Sequence, residues 1–171
     1  QAEADVSSGA RAMLDQARPN VVQVSVEVRH NHTQASSGTG FLVSREGLML
    51  TNYHVVAEHL FEPAVFGLRY RAFNGGTGEL RVLAVDVAND LAILASDLRP
   101  TAPLQFSIQA PKRGSKAYSV GYPLSQGLTI TEGTFNGVSE DFSLERFHFS
   151  GALNPGMSGG PVFDRERRVI G

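Results

Sequence analysis

Short segments in which apolar and polar residues alternate recur along the chain, and they constrain its fold more than any other feature. The clearest is VVQVSVEV at residues 21–28, in which valine occupies every second position. A half-buried strand has this pattern, because successive side chains of a strand point to opposite faces. Other segments of about four to eight residues follow, with turn signals roughly every ten residues. The pattern predicts an all-β chain, either a sandwich or a pair of barrels.

Three segments depart from the strand pattern. Residues 8–18 carry apolar residues at helical spacing up to a proline, which predicts a short amphipathic helix. HVVAEH at residues 54–59 predicts one short helical turn, and the proline-containing segment at residues 98–114 is typical of a linker. We therefore divide the chain into an N-terminal segment at residues 1–20, an N-terminal half at 21–100 and a C-terminal half at 101–171.

The composition narrows the classes of function. With 171 residues, of which 42% are hydrophobic, the chain suffices for one domain or for two small subdomains that share a cleft. A net charge of -2 gives no reason to expect nucleic acid or a membrane surface as a partner. No apolar run approaches the roughly 20 residues of a membrane-spanning helix. The absence of cysteine excludes disulfides and thiolate metal sites.

The sequence predicts neither a metal nor a cofactor. His30 and His32 have a spacing that a metal can use, but no third ligand is evident nearby. The segments SGTG and GTGELRVL contain glycine, yet they lack the strand-to-helix context of a phosphate-binding loop. The chain is therefore expected to work without a bound group.

Ser158 lies in NPGMSGGPVFD at residues 154–164, where three glycines surround it. Such a turn serves packing or presents a nucleophile, and a serine nucleophile needs an imidazole base oriented by a carboxylate. His54 directly follows the strand-like segment GLMLTN, which would hold its backbone. Of the candidate aspartates between the two, Asp90 precedes the apolar run LAIL and is the preferred acid. Its rivals are Asp86 and Asp97.

Chain order separates two classes of serine hydrolase. GMSGG also fits the G-x-S-x-G pattern of the α/β-hydrolases, in which the acid and the histidine follow the serine. Only 13 residues follow Ser158 and none is histidine, so that class is excluded. The order His54, Asp90, Ser158 in an all-β chain is instead that of the two-barrel serine proteases.

Three blocks of the sequence resemble the signatures of trypsin-fold (chymotrypsin-like) serine proteases. SGTGFLVSREGLMLTNYHVV, NDLAIL and GALNPGMSGGPVFD occur in the family's order over residues 37–164, and they resemble the bacterial HtrA (Deg) group most. The resemblance implies two antiparallel six-stranded β-barrels and a serine endopeptidase of protein quality control. It makes Ser158 the nucleophile, His54 the base and Asp90 the orienting acid. The backbone N–H groups of Gly156 and Ser158 would form the oxyanion hole.

The resemblance also indicates where a polypeptide substrate would bind. The base of the specificity pocket would lie near residues 151–153, with Ala152, Leu153 and Asn154 as the substrate-binding residues. Because no acidic residue occurs between Arg146 and Asp164, small or medium apolar side chains are the predicted preference. Residues 140–146 occupy the place of the group's regulatory loop, or they form an ordinary surface loop. Tyr122 stands where the group usually has asparagine.

A protease-like peptide-binding module, or a latent protease that lacks a complete specificity pocket, is the alternative function. In the family a further strand follows the position of RRVIG, so the C-terminal half is expected to be truncated, and HtrA proteins usually carry a PDZ domain downstream. Because the chain opens with Gln1 instead of methionine, we expect that an upstream segment was removed, and a cleaved signal peptide and an otherwise trimmed chain look the same. A periplasmic or otherwise exported protein is expected, with the cytoplasm left open. Residues 8–18 would pack on their own barrel or on a second copy of the chain.

Overall fold

The computed structural model describes residues 8–124, 126–141 and 144–171. The predicted N-terminal helix is α1, and a helix follows the third strand where one helical turn was expected. The elements in chain order are α1 Ser8–Ala17, β1 Val21–Val28, β2 Gln34–Leu42, β3 Leu48–Thr51, α2 Tyr53–Phe61, β4 Phe66–Arg71, β5 Thr77–Glu79, β6 Arg81–Asp86, β7 Leu91–Ala95, β8 Lys116–Gly121, β9 Thr129–Asp141, β10 Leu144–Phe149 and β11 Val162–Phe163. The all-β prediction is confirmed.

The first sheet consists of strands β1 to β7, paired in the order β5-β4-β1-β2-β3-β7-β6. Its two edge strands are neighbours in the sequence, because only Leu80 separates β5 from β6. The sheet therefore curls until its edges meet at Leu80, whose N–H donates to the carbonyl oxygen of Leu68 at 2.9 Å. The segment ELRVLAVD at residues 79–86 supplies part of both edges. The seven strands thus occupy six stretches of chain.

The interior of the first sheet follows from the alternation in β1. Val22, Val24 and Val26 are fully buried, whereas Gln23 and Ser25 between them are half-buried. The valines pack against apolar side chains of the other strands and of α2. One apolar cluster therefore supports the helix that begins directly after β3.

The second sheet has four strands over the described residues, in the order β10-β9-β8-β11, rather than the six that the resemblance implied. The segment RVIG at residues 168–171 contributes isolated bridges, from Val169 to Phe163 and to Phe106. It follows a tight turn, in which Arg167 has a positive φ of 63° and the N–H of Asp164 donates to the carbonyl oxygen of Arg168. The division of the chain near residues 20 and 100 stays a prediction.

Helix α1 packs within its own chain. Met13 and Ala17 are buried in an apolar cluster that also contains residues of β8 and Phe163 of β11. Of the two positions that the sequence left open for this helix, the structure shows the intramolecular one. Neither α1 nor α2, the helices among the described residues, is long and apolar enough to cross a bilayer. The regulatory-loop prediction includes residues 142–143, which lie outside the described residues.

Candidate active site

His54 lies in the first turn of α2, the helix that follows strand β3 of the first sheet. Strand β3 ends at Thr51, and Asn52 keeps an extended backbone with φ of -80° and ψ of 146° before the helix begins. Val55 and Val56 are buried against the first sheet. The apolar run behind the histidine therefore fixes the helix and leaves the imidazole 56% exposed.

Asp90 binds the segment that carries His54 through four hydrogen bonds. Its carboxylate accepts from the backbone N–H of His54 at 2.9 Å, and its second oxygen lies 2.7 Å from the His54 Nδ1. Its carbonyl oxygen accepts from the Asn52 side-chain amide at 2.8 Å and from the Tyr53 N–H at 3.1 Å. With Nδ1 donating to the carboxylate, Nε2 of the imidazole is left as an acceptor.

Backbone geometry explains why Asp90 can approach His54 twice. Asp90 has a positive φ of 54°, which aspartate tolerates better than most residues. It ends the turn that joins β6 to β7, and its N–H donates to the carbonyl oxygen of Val87 at 3.3 Å. The turn thus places the carboxylate at the start of β7, next to the start of α2.

The two rival acids are occupied elsewhere. Asp86 accepts from the backbone N–H and the side-chain amide of Asn89, at 3.0 and 2.7 Å, and these bonds lower the pKa of its carboxyl. Asp97 accepts from the Tyr70 hydroxyl at 2.6 Å. The structure therefore places Asp90 beside His54 and uses Asp86 and Asp97 to hold other turns and strands.

Ser158 is exposed on a turn of residues 154–160, which we call the serine turn. Within it, the N–H of Met157 donates to the Asn154 carbonyl oxygen at 3.1 Å, and the N–H of Gly160 donates to the Met157 carbonyl oxygen at 3.0 Å. Gly156 has φ of 94°, and a Cβ there would lie 2.6 Å from the Tyr122 carbonyl oxygen. A side chain at this position would therefore need both a strained backbone and displaced neighbours.

The N–H groups of Gly156 and Ser158 remain unengaged. In the part of the chain that the structure describes, neither donates to another protein group. The peptide that contains the Gly156 N–H is nevertheless oriented, because its other end, the Pro155 carbonyl oxygen, accepts from the Leu124 N–H at 2.9 Å. Both donors are therefore available to a bound group, and an oxyanion hole needs such donors aimed at one point beside the nucleophile.

The two candidate catalytic segments meet at Gly38 of β2. A Cβ on Gly38 would lie 2.7 Å from the Val55 side chain in α2 and 3.0 Å from the carbonyl oxygen of Ser158. The absence of a side chain there lets the helix and the serine turn approach each other. Over the described ranges, no hydrogen bond joins the His54 imidazole to the Ser158 hydroxyl. The structure thus brings the serine turn close to the helix that carries His54, without a hydrogen bond between the His54 imidazole and the Ser158 hydroxyl.

The residues predicted to bind substrate precede the serine turn or begin it. Ala152, Leu153 and Asn154 are exposed, and the Leu153 side chain is 59% exposed. A separate apolar cavity of about 450 Å³ lies between the sheets, where Thr51 and Asn52 face Gly159. Its lining does not include residues 152–154, so it is distinct from the predicted specificity pocket.

The remaining histidines form no metal centre with other side chains among the described residues. His59 lies with its Nδ1 at 2.9 Å from the Phe66 carbonyl oxygen, and His32 lies 3.9 Å from the carboxylate of Glu27. His30 is exposed. These side chains are placed by the surface of the first sheet and lie apart from the serine turn.

Tyr122 and Thr39 support the serine turn, and sequence reasoning assigned a role to neither. Tyr122 is buried in the apolar cluster that also contains Met13 of α1 and Phe163 of β11. Its hydroxyl lies 3.4 Å from the Val21 carbonyl oxygen, and burial raises the pKa of this hydroxyl. Thr39 is fully buried and bonds the serine turn from β2. The only sequence signal for Thr39 is its position within the SGTG block, between two glycines that lie on the opposite face.

The fold, the serine turn and the pair of His54 and Asp90 define a trypsin-like serine peptidase domain. The family described as a trypsin-like peptidase domain matches residues 38–171, and the chain belongs to it. The chain is 31% identical over 174 residues to the mitochondrial serine protease HTRA2 of Bos taurus, with 93% of this chain and 36% of that protein covered. It is 32% identical over 145 residues to a probable periplasmic DegP-like serine endoprotease of Hahella chejuensis, with 80% and 29% covered.

The solved structures that resemble this one share the same fold. The crystal structure of Deg5 superposes with a TM-score of 0.83 at 21% identity, covering 100% of this chain and 86% of that one. The HtrA-type protease AlgW with tripeptide gives a TM-score of 0.81 at 24% identity, covering 96% and 53%. The chain spans about a third of the length of the curated relatives it matches, for example 36% and 38% of the first two.

Proposed function

We propose that the chain is the peptidase part of an HtrA-like serine endopeptidase, in which Ser158 is the nucleophile, His54 the general base and Asp90 the orienting acid. The double contact of the Asp90 carboxylate with the backbone and the imidazole of His54 carries the proposal. A carboxylate that only ended a turn would need neither contact. The chain order of the three residues and the membership in the trypsin-like family support the same assignment.

The reaction that these groups support is acyl transfer followed by hydrolysis. Nε2 of His54 accepts the hydroxyl proton of Ser158 while Oγ attacks the carbonyl carbon of the scissile peptide bond. The carbon–nitrogen bond then breaks, and the imidazolium gives its proton to the leaving amine. Water repeats the sequence on the acyl-enzyme, with His54 again accepting a proton, and frees the acid product and Ser158. Asp90 holds the imidazole orientation throughout and stabilises its positive charge.

The unengaged N–H groups of Gly156 and Ser158 supply the electrostatic part of this mechanism. Negative charge develops on the substrate carbonyl oxygen when Ser158 attacks, and the two donors would receive it. Because they donate to no other described group, no internal bond has to break first. Donors of this kind typically contribute on the order of 10²–10³ each to kcat.

The missing bond between His54 and Ser158 defines the second candidate, a latent peptidase or peptide-binding module. Catalytic hydrogen bonds are often long without substrate and form in the complex, so the separation is compatible with activity. In a latent protein, however, the separation would persist when a peptide binds. Accumulation of the acyl-enzyme distinguishes the two, because it requires the base to reach Ser158.

The residues proposed to bind the substrate are exposed and precede or begin the serine turn. Ala152, Leu153 and Asn154 would contact a polypeptide substrate, and small or medium apolar side chains would be preferred. The proposed role of the cleavage is protein quality control. Peptides that differ only in valine, alanine or arginine before the scissile bond would measure this preference, and dominant cleavage after arginine would contradict it.

We further propose export, consistent with relatives named periplasmic and with others named mitochondrial or chloroplastic. Homo-oligomers also remain part of this proposal.

Labelling with a fluorophosphonate, together with digestion of casein, tests the proposed function. We expect the purified protein to be labelled and to cleave casein, and Ser158→Ala to abolish both. Ser150→Ala is the matched control, since Ser150 is an exposed serine of the same half and should keep both signals. Labelling that survives in Ser158→Ala would place the nucleophile elsewhere. No labelling in the unchanged protein would favour the latent peptidase or binding module.

A further inference from the structure

Thr39 is a polar residue of β2 whose side chain points away from the core of the first sheet. Its neighbours Gly38 and Gly40 face Val55 and Met49 in that core. Because side chains alternate along a strand, Thr39 faces the other way, toward the serine turn. It is 0% exposed. A buried polar residue at such a junction needs hydrogen-bond partners, and all of its polar atoms have them.

The hydroxyl of Thr39 connects two parts of the second half. It donates to the Gly156 carbonyl oxygen at 2.8 Å and accepts from the Tyr122 N–H at 3.0 Å. The Thr39 N–H donates to the Ser158 carbonyl oxygen at 2.8 Å, and the Thr39 carbonyl oxygen accepts from the Thr51 hydroxyl at 2.7 Å. One residue of the first sheet thus contacts the serine turn on both sides of Met157.

These bonds fix two peptide planes of the serine turn, with one plane between them. A peptide unit is planar, so a bond to its carbonyl oxygen also sets the orientation of its N–H. The two bonds from Thr39 fix the planes that follow Gly156 and Ser158. The Ser158 N–H belongs to the plane between them and is constrained from both sides. The Gly156 N–H belongs to the plane that the Leu124 N–H fixes through Pro155, and the 122–124 segment is itself bonded to Thr39.

We propose that Thr39 is the positioning residue of the oxyanion hole: its hydroxyl holds the Gly156 carbonyl so that the N–H groups of Gly156 and Ser158 point to the same place. The inference rests on the proposed function. Thr39 acts through the serine turn and does not contact the substrate. Its loss should therefore lower the rate of the chemical step more than it weakens substrate binding.

Three variants test this role by kinetics on a peptide substrate. Thr39→Val keeps the shape and removes the hydroxyl, and it should lower kcat by about tenfold or more while KM changes less than about threefold. Thr39→Ser restores the hydroxyl and should return kcat to within about threefold of the unchanged protein. Thr51→Val is the control, because it removes a buried hydroxyl bond to Thr39 without touching Gly156. Its kcat should stay within about threefold. Thr39→Ala replaces Thr39→Val if the latter does not fold.

Amide hydrogen exchange gives a second readout that does not depend on activity. In Thr39→Val, the N–H groups of Tyr122 and Leu124 should exchange about tenfold faster relative to Leu80 of the first sheet, and in Thr39→Ser they should not. Equal losses of kcat in Thr39→Val and Thr51→Val, or unchanged kcat in Thr39→Val, would overturn the proposal. If the unchanged protein shows no turnover, the proposed function fails, and the exchange rate of the Leu124 N–H alone decides, because its acceptor is the Pro155 carbonyl oxygen and not Thr39. An unchanged rate overturns the positioning role, and a faster rate supports it.

Discussion

The two sides of the candidate active site are held in different ways. The pair of His54 and Asp90 is bonded almost entirely within the first sheet, through the four hydrogen bonds from residues 52–54 to Asp90. The serine turn has two internal hydrogen bonds and depends on Thr39 of the first sheet and on Leu124 for the rest. His54 and Asp90 are therefore organised by one sheet, whereas Ser158 is organised by the contact between two.

This difference has a consequence for how the protein would lose activity. A small displacement of one sheet against the other would leave the geometry of His54 and Asp90 unchanged. It would alter the bonds from Thr39 to Gly156 and Ser158, which join residues far apart in sequence. The N–H groups proposed to bind the oxyanion would then be displaced before the proposed base, His54. Substitutions on the two sides should separate these two modes of failure.

Asp90→Asn should have the largest effect on kcat, because it changes the carboxylate that contacts the His54 imidazole on the side that one sheet organises. Asparagine accepts the positive φ at this position, but its amide presents a donor to Nδ1 and would favour the wrong imidazole tautomer. We expect kcat to fall by about 10³–10⁴, with the fold retained, as measured on a peptide substrate and by thermal unfolding.

Asp86→Asn is the control for this change. Asp86 is the rival acid four residues earlier, and its carboxylate binds Asn89 instead of a histidine. Its kcat should stay within about twofold of the unchanged protein. A similar loss in both variants would show that the effect comes from the turn that joins β6 to β7 and not from the contact with His54.

Gly156→Ala should have the next largest effect and acts on the other side of the site. The new Cβ would lie 2.6 Å from the Tyr122 carbonyl oxygen and 2.9 Å from the Leu124 nitrogen. The serine turn must then move, and the two N–H donors move with it. We expect kcat to fall by about 10²–10³ while the contact between His54 and Asp90 is preserved, which the NMR signals of the imidazole would report.

Gly114→Ala controls for the backbone conformation alone. Gly114 has a positive φ of 89°, close to that of Gly156, but a Cβ there would meet no atom within 4 Å. Both variants should lose about 1–2 kcal/mol of stability from the unfavourable φ, and only Gly156→Ala should lose activity. If Gly114→Ala reduces kcat as strongly, general destabilisation explains the effect and the comparison between the two sides weakens.

The same difference explains what the sequence could predict. His54, Asp90 and the serine turn lie in local segments whose turn residues and apolar neighbours mark them, so their elements are visible in the order of residues. The distinction between Asp90 and Asp86 needed the resemblance as well, because both precede or end strand-like segments. The shared position of the triad candidates stays a proposal, while the contact between Asp90 and His54 is present in the structure.

The role of Thr39 could not be predicted in this way. Alternation along β2 shows that its side chain faces away from two glycines, but its partner Gly156 lies 117 residues away. Nothing local specifies a contact over that distance. The same holds for the closure of the first sheet at Leu80 and for the missing bond between His54 and Ser158. Each depends on how segments pack, which residue patterns alone do not determine.

The smallest expected effect is a change in the pH dependence of stability. Each of the two apolar clusters buries one tyrosine, Tyr70 in the first sheet and Tyr122 in the cluster that contains β8. Tyr70 of the first sheet is 5% exposed, and burial together with a hydrogen bond to Asp97 raises its pKa from 10.0 to about 12. Below pH 10 the hydroxyl keeps its proton in both the folded and the unfolded chain. Between pH 10 and about 12 the unfolded chain loses the proton first, so the free energy of unfolding falls as pH rises.

Tyr70→Phe should remove this part of the pH dependence. The difference in the free energy of unfolding between the unchanged protein and Tyr70→Phe should shrink by about 2–3 kcal/mol from pH 9.5 to pH 12, as measured by urea unfolding. Tyr122→Phe should show the same direction with a smaller change, since burial alone raises the Tyr122 pKa. Both variants should keep kcat near neutral pH within about threefold if neither hydroxyl acts in the site. A larger alkaline change for Tyr122→Phe than for Tyr70→Phe would contradict this order of the two pKa shifts.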